Sequence, residues 1–141
     1  MFSCEQAVKA AYDAAQLSKN DIQFFGLYDC FPICLLRAVE AAGLCSKGDG
    51  GNYIEKMYNL SEKQGGNLTP EQFPVNTHGG LLAFGAPWEV PAMYNVIEAV
   101  KQLNGEVGSD RQVPDCRRAL VYGNGGIFSA SAVAILGSGN Y

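Results

Sequence analysis

Ile22-Gln23-Phe24-Phe25-Gly26-Leu27-Tyr28-Asp29-Cys30-Phe31-Pro32 passes from aromatic-rich residues with strand character to a proline that a helix accepts only in its first turn. Beyond it Leu35, Leu36, Val39 and Ala42 recur at helical spacing, and Gly43 supplies a C-terminal cap. The stretch therefore reads as a strand feeding a helix, with Tyr28-Asp29-Cys30-Phe31 at the junction. Upstream, Ser3 and Gln6 read as a capping box. The stripe Ala7, Ala10, Ala11, Ala14, Ala15 and Leu17 behind them predicts a helix packed closely among neighbours.

Downstream, residues 46–70 are rich in Gly, Asn and Lys, with a short amphipathic piece around residues 53–58, and read as a long surface excursion. Phe73-Pro74-Val75-Asn76 reads as a short strand ending in Thr77-His78-Gly79-Gly80. A helix is predicted from about Trp88 to Leu103, with an apolar face of Val90, Met93, Tyr94, Ile97, Val100 and Leu103. Asn104-Gly105 ends it. Two strands finish the chain, residues 118–122 and 130–136, joined by Gly123-Asn124-Gly125-Gly126. This alternation predicts one α/β domain: a mixed sheet covered by helices, closing in an antiparallel pair.

Composition narrows the function. The chain has 141 residues, nearly half apolar (48%) and only 17% charged, which excludes disorder and predicts an apolar face covered by another chain. A net charge of −4, with Arg117-Arg118 as the one basic pair, argues against nucleic acid. Five cysteines without a CxxC pair and a single histidine argue against a zinc site or disulfide framework, so the expected setting is a reducing cytoplasm. No apolar run of about 18 residues predicts a membrane span.

The residues with chemical potential cluster at strand ends, where loops of α/β sheets gather ligands. His78, flanked by Gly79 and Gly80, suits proton transfer near neutral pH, although a hydrogen-bonded loop histidine is the commoner role. Asn76 suits donation to a carbonyl oxygen, or shaping of its turn. Gly123 to Gly126 offers clustered N–H groups to an oxyanion, or simply a tight hairpin. Tyr28 and Asp29 can position or exchange a proton, or only pack. Cys30 and Cys34 stand one helical turn apart at a helix start, where the macrodipole favours a thiolate; buried structural cysteine is the commoner state.

Together these stretches resemble the C-terminal half of the thiolase superfamily, in the branch of sterol-carrier-protein-type thiolases and lipid-transfer aldolases. The likeness covers nearly the whole chain: Tyr28-Asp29-Cys30-Phe31 for the (H/Y)DCF-like turn, Gly48-Asp49-Gly50-Gly51 for GxGG, Asn76 to Gly80 for NxxGG, and Gly123 to Gly126 for the last glycine turn. Two departures stand out. The family's GHP turn reads Gly85-Ala86-Pro87 here, and Tyr122 stands where thiolases carry Cys or His.

The resemblance implies an acyl-CoA enzyme that makes or cleaves a carbon–carbon bond beside a thioester, with coenzyme A as part of the substrate and no separate cofactor. His78 is not the family's usual catalytic histidine, but with Tyr28 and Tyr122 it is the expected proton-handling group here, with Asn76 donating a hydrogen bond. Asp29, Gly79, Gly80, Asn124, Gly125 and Gly126 would line the substrate. A retro-aldolase acting on a hydroxyacyl-CoA and a non-catalytic scaffold are the alternatives. The family's nucleophilic Cys lies in an N-terminal half, which these residues do not contain, and the half-fold's first strand is also expected to be missing. The expected partners are that N-terminal half, a second copy in a homodimer, and a small zinc-ribbon/OB-fold protein.

Overall fold

A computed structural model of the chain describes residues 3–85, 90–126 and 128–139. The elements run α1 (Ser3–Ala15), β1 (Phe24–Leu27), α2 (Pro32–Ala41), α3 (Gly50–Lys63), α4 (Gly80–Phe84), α5 (Pro91–Asn104), β2 (Arg118–Gly125) and β3 (Ala130–Gly137). The sheet order is β1-β2-β3. β1 lies parallel to β2, from Phe24 opposite Ala119 to Leu27 opposite Tyr122, and β2 lies antiparallel to β3. This is the mixed α/β sheet that the sequence predicts.

All of β1 is buried, as a strand covered on both faces should be. Phe25 and Leu27 join Leu120 and Tyr122 in a core closed by Cys4 and Val8 of α1 and by Ala38 and Val39 of α2. Phe24, Ala119 and Val121 face the other way, onto Ala99 of α5 with Val113 and Cys116. Gly26 permits that second layer to come close, since a Cβ there would stand 3.0 Å from the Cβ of Asn95.

Several expectations need correction. The stretch 46–70 is not all loop, because it contains the helix α3. Gly50 makes that helix fit: a Cβ at this position would lie 2.7 Å from the Leu36 carbonyl oxygen, and the bare N–H donates to Glu40 Oε1 at 3.0 Å. The strand expected at residues 73–76 contracts to a single parallel bridge between Val75 and Phe25. The alanine stripe of α1 is not enclosed by this chain; Ala10, Ala14 and Ala15 are exposed. Ser3 does not behave as half of a capping box either, because its hydroxyl donates to the Phe128 carbonyl at 2.6 Å.

The largest difference concerns α5, where four of the six residues of the predicted apolar face point outward while Leu103 packs on the core. Asn95, Glu98, Ala99 and Gln102 turn inward, while Val90, Met93, Ile97 and Val100 are 44–52% exposed. Residues 86–89, which include two positions of the Gly85-Ala86-Pro87 turn and the expected helix start at Trp88, lie outside the described residues.

Candidate functional site

The C-terminal end of β1 is stitched to the Asn76 turn. Phe25 donates to the Pro74 carbonyl at 2.9 Å, and Asn76 N–H donates back to the Phe25 carbonyl at 3.0 Å. Asn76 then leaves the extended region, at φ +47°, a left-handed conformation that asparagine tolerates better than most residues. Its side chain continues the pairing. Oδ1 accepts the Leu27 N–H at 2.7 Å and Nδ2 donates to the Leu27 carbonyl at 2.8 Å. The amide expected to meet a substrate carbonyl is thus engaged with the Leu27 backbone.

Gly79 and Gly80 follow at φ +105° and +66°. Asp29 occupies the space that a Gly80 side chain would fill: a Cβ there would overlap Oδ2 and lie 2.8 Å from Cγ. Asp29 Oδ1 accepts the Leu81 N–H at 2.8 Å, so the carboxylate of the β1–α2 junction holds the first turn of α4. Asp29, Asn76, Gly79 and Gly80 form one interlocked rim.

His78 is half-buried on this rim, its ring stacked on Phe84 with centroids 5.8 Å apart. Both ring nitrogens are buried without a hydrogen-bond partner among the described residues. Burial holds the imidazole below its usual pKa; Glu98 and Asp29 oppose that shift and Arg111 adds to it. Beneath it runs a polar network that sequence reasoning missed. Thr77 donates to Glu98 Oε1 at 2.7 Å, Gln102 Nε2 donates to Thr77 Oγ1 at 2.9 Å and to the Arg111 carbonyl at 2.8 Å, and Arg111 pairs with Glu98 at 3.3 Å. The signal available was Glu98 and Gln102, four apart on one helical face.

Tyr28 and Tyr122 meet at the neighbouring strand end, where Tyr28 N–H donates to the Tyr122 carbonyl at 3.1 Å. Tyr122 is 1% exposed, and its hydroxyl lies 3.4 Å from Ser131 Oγ, itself 2.8 Å from Ser3 Oγ. Burial pushes the Tyr122 phenol up to about 12, with Ser131 pulling weakly the other way. Tyr28 is also raised, by burial first and then by Cys30, its hydrogen-bond partner. Cys30 Sγ stands 3.7 Å from Cys34 Sγ, and burial lifts the Cys34 thiol to about 11.

The glycine turn is displaced from its expected place. β2 continues through Gly125, with Gly123 opposite Ala132, Asn124 opposite Ser131 and Gly125 opposite Ala130. Gly126, at φ +60°, starts the reversal. Asn124 Nδ2 donates to the Gly126 carbonyl at 3.2 Å, and its Oδ1 is buried without a partner among the described residues.

The structure therefore brings the backbones of all three motifs to one end of the sheet but sorts the side chains into two groups. Tyr28 and Tyr122 share the α1–α2 side with Cys4, Cys30 and Cys34. His78 sits with Phe84, Glu98 and Arg111. Asp29 bridges them, since its charge acts on both Tyr28 and His78. Among the described residues, no group of three or more His, Cys, Asp or Glu side chains is placed to hold a metal ion, and no helix is long and apolar enough to cross a membrane.

A family model described as thiolase C-terminal domain-like matches residues 1–138. Human sterol carrier protein 2 is 33% identical over 131 residues, which cover 93% of this chain and 22% of that protein. An acetyl-CoA acetyltransferase of Methanothermobacter thermautotrophicus is 34% identical over 129 residues, 92% of this chain and 31% of the relative. Among solved structures, an Ltp2-ChsH2(DUF35) aldolase superposes with a TM-score of 0.73 at 26% identity, covering 97% of this chain and 32% of that one. The chain spans 22–31% of the length of these two curated relatives.

Proposed function

From the premise that this chain belongs to the thiolase C-terminal domain-like family, we propose that it forms the C-terminal part of an enzyme that makes or cleaves a carbon–carbon bond beside an acyl-CoA thioester. The observation that carries this reading is the meeting of Tyr28 and Tyr122 at adjacent strand ends, joined by the 3.1 Å bond between their backbones. Ligands of α/β sheets gather at that end. In the thiolase-like route, a Cys of the N-terminal half takes the acyl group, and His78 or Tyr122 moves protons. The acetyl-CoA acetyltransferase relative supports this route.

Retro-aldol cleavage of a hydroxyacyl-CoA is the second reading, favoured by the tyrosine at position 122 and by the likeness to an aldolase structure. A phenol raised to about 12 stays protonated at neutral pH, so it is available to donate a hydrogen bond and not to act as the base. This route requires the substrate to reach the α1–α2 side of the strand ends, where Tyr28 and the 1%-exposed Tyr122 donate to the enolate oxygen as it forms. A substrate that reaches past Asp29 presents its hydroxyl to His78, which burial keeps neutral and able to accept the proton. Asp29, Gly79, Gly80, Asn124, Gly125 and Gly126 line the rim, and Asn76 holds it in shape.

The exposed apolar face of α5, continued by Phe84 and Leu82, supports a covering partner. We assign that place to the N-terminal half, in keeping with the two-thirds or more of each relative's length that this chain does not match. A homodimer, a small zinc-ribbon/OB-fold partner and a cytoplasmic setting complete the proposal. The deciding experiment incubates full-length protein with a 3-ketoacyl-CoA plus coenzyme A and, separately, with a 3-hydroxyacyl-CoA, and reads products by mass spectrometry. Cleavage of the first supports the thiolase route and of the second the aldolase route. Tyr122→Phe is expected to lower kcat by about a hundredfold or more. If neither substrate class is turned over, the catalytic reading falls and the scaffold reading stands.

A further inference from the structure

We propose that Cys30 and Cys34 are a redox dithiol that closes reversibly to a disulfide at the β1–α2 junction, a modification site separate from the carbon–carbon bond chemistry. Their sulfurs already stand 3.7 Å apart, so bonding asks only for a short approach to the ~2.05 Å of a disulfide. The pairing is set by the backbone. Phe31, extended at φ −138° and ψ 151°, caps α2, and Pro32 opens its first turn, which places the residue before the cap beside the one in the turn. Among the described residues, the other three cysteines, Cys4, Cys45 and Cys116, have no sulfur neighbour as close.

The two thiols differ in access, which assigns their roles. Cys30 is partly exposed and takes the role of the thiol that meets a hydroperoxide, whereas Cys34 is 5% exposed and acts as the resolving thiol. The Cys30 sulfur attacks the terminal peroxide oxygen; an S–O bond forms, the O–O bond breaks, the thiol proton goes to the leaving oxygen, and the products are a sulfenic acid and, from hydrogen peroxide, water. The Cys34 sulfur then attacks the sulfenic sulfur; the S–O bond breaks, the Cys34 proton leaves with the hydroxyl as a second water, and the S–S bond forms. In sum, two thiols and one hydroperoxide give one disulfide, one water and the reduced peroxide product. Burial that keeps Cys34 protonated makes closure slow at neutral pH and faster as the pH rises, because the thiolate is the attacking form. Closure also takes the Cys30 thiol away from the Tyr28 hydroxyl, tying the state of the pair to the strand end.

The test uses full-length protein treated with hydrogen peroxide in the folded state, alkylated, then digested with trypsin. Lys19 and Arg37 bracket both cysteines with no Lys or Arg between them, so residues 20–37 emerge as one peptide. The expected result is that peptide lighter by two hydrogens and carrying no alkyl label, restored by dithiothreitol. Cys34→Ser is expected to leave Cys30 as a sulfenic acid that dimedone captures. Should that variant fail to fold, phenylarsine oxide on the unmodified protein decides: one arsenical bridging this peptide supports the dithiol. Full alkylation of both cysteines after peroxide, a disulfide from Cys30 to a cysteine outside the peptide, or an unbridged peptide with the arsenical would each overturn the proposal.

Discussion

Asn76 pairs with Leu27 through its side chain as a strand residue pairs through its backbone, accepting at 2.7 Å and donating at 2.8 Å. The pairing adds one more rung beside β1 after the Val75 bridge, while the chain itself turns away at φ +47°. One residue thus ends a strand and starts the rim. Asn76→Ala leaves the buried Leu27 N–H and carbonyl unpaired, and is expected to cost about 2–4 kcal/mol. Asn76→Gly accommodates the backbone angle and should still lose most of that amount. Urea unfolding of the three proteins separates the two contributions.

The contact between Asp29 and Gly80 leads to the second prediction. Gly80→Ala puts a Cβ into the Asp29 carboxylate and forces a side chain into the left-handed region at φ +66°. Either the carboxylate abandons the Leu81 N–H or the turn rebuilds, and both disrupt the rim. A loss of several kcal/mol is expected, against about 0.5 kcal/mol or less for an unstrained exposed site. Gly51→Ala, where a Cβ meets open space, is the control and should change little. Thermal unfolding that ranks the two equally contradicts this account.

Much of this fold was legible in the sequence because the strand and helix periods are strong on both sides of residue 30. The failures have physical causes. Gly50 and Gly51 read as loop residues, yet Gly50 serves close packing of a helix against the Leu36 carbonyl. Residues 123–125 carry a hairpin signal, but Ala130, Ser131 and Ala132 opposite them are small enough for the ladder to run on. The apolar period of α5 is present, but most of that face is exposed in this chain. Periodicity alone does not say what an apolar face packs against, and the buried polar face of α5 is satisfied by tertiary partners that no local pattern shows. The site was legible only as three motifs; that their side chains divide between two sides of the sheet depended on the alternation within β2, where Val121 and Tyr122 point oppositely.

His78 gives the third prediction, with its sign fixed by burial. Its folded pKa lies below the ordinary 6.5, so the unfolded chain binds the proton more readily. Stability is then fully present above about 6.5 and falls as the pH drops below it, through the lowered folded value. His78→Phe keeps the stacking surface toward Phe84 and removes the titration. The expected outcome is a flatter stability profile below about pH 6.5 for the variant than for the parent. Equal slopes in urea titrations across that range contradict the assignment.

Gln102 is the fourth test. Only 1% exposed, it donates to Thr77, Glu98 and the Arg111 carbonyl, and accepts from Gln112 and from the Val113 N–H. Gln102→Leu preserves bulk but strands several buried polar groups at once, with an expected loss of roughly 3 kcal/mol. Because the network joins the Thr77 turn to residues 111–113, hydrogen exchange should quicken at both together. Exchange that rises at one segment alone would show the network to be two independent contacts.

The exposed apolar face of α5 yields the last prediction. Ile97 is 48% exposed, and a surface isoleucine normally tolerates a charge within about 0.5 kcal/mol. If the N-terminal half covers this face, the same side chain lies in an apolar interface of the full-length protein. Ile97→Glu then buries a carboxylate without a partner, which costs several kcal/mol. Lys101→Glu, a charge reversal at an exposed position of the same helix, controls for charge alone. The expected result is a lower unfolding temperature for Ile97→Glu in the full-length protein, with Lys101→Glu close to the parent. Near-parental stability in both variants would mean that the face stays open to water and that the covering half lies elsewhere.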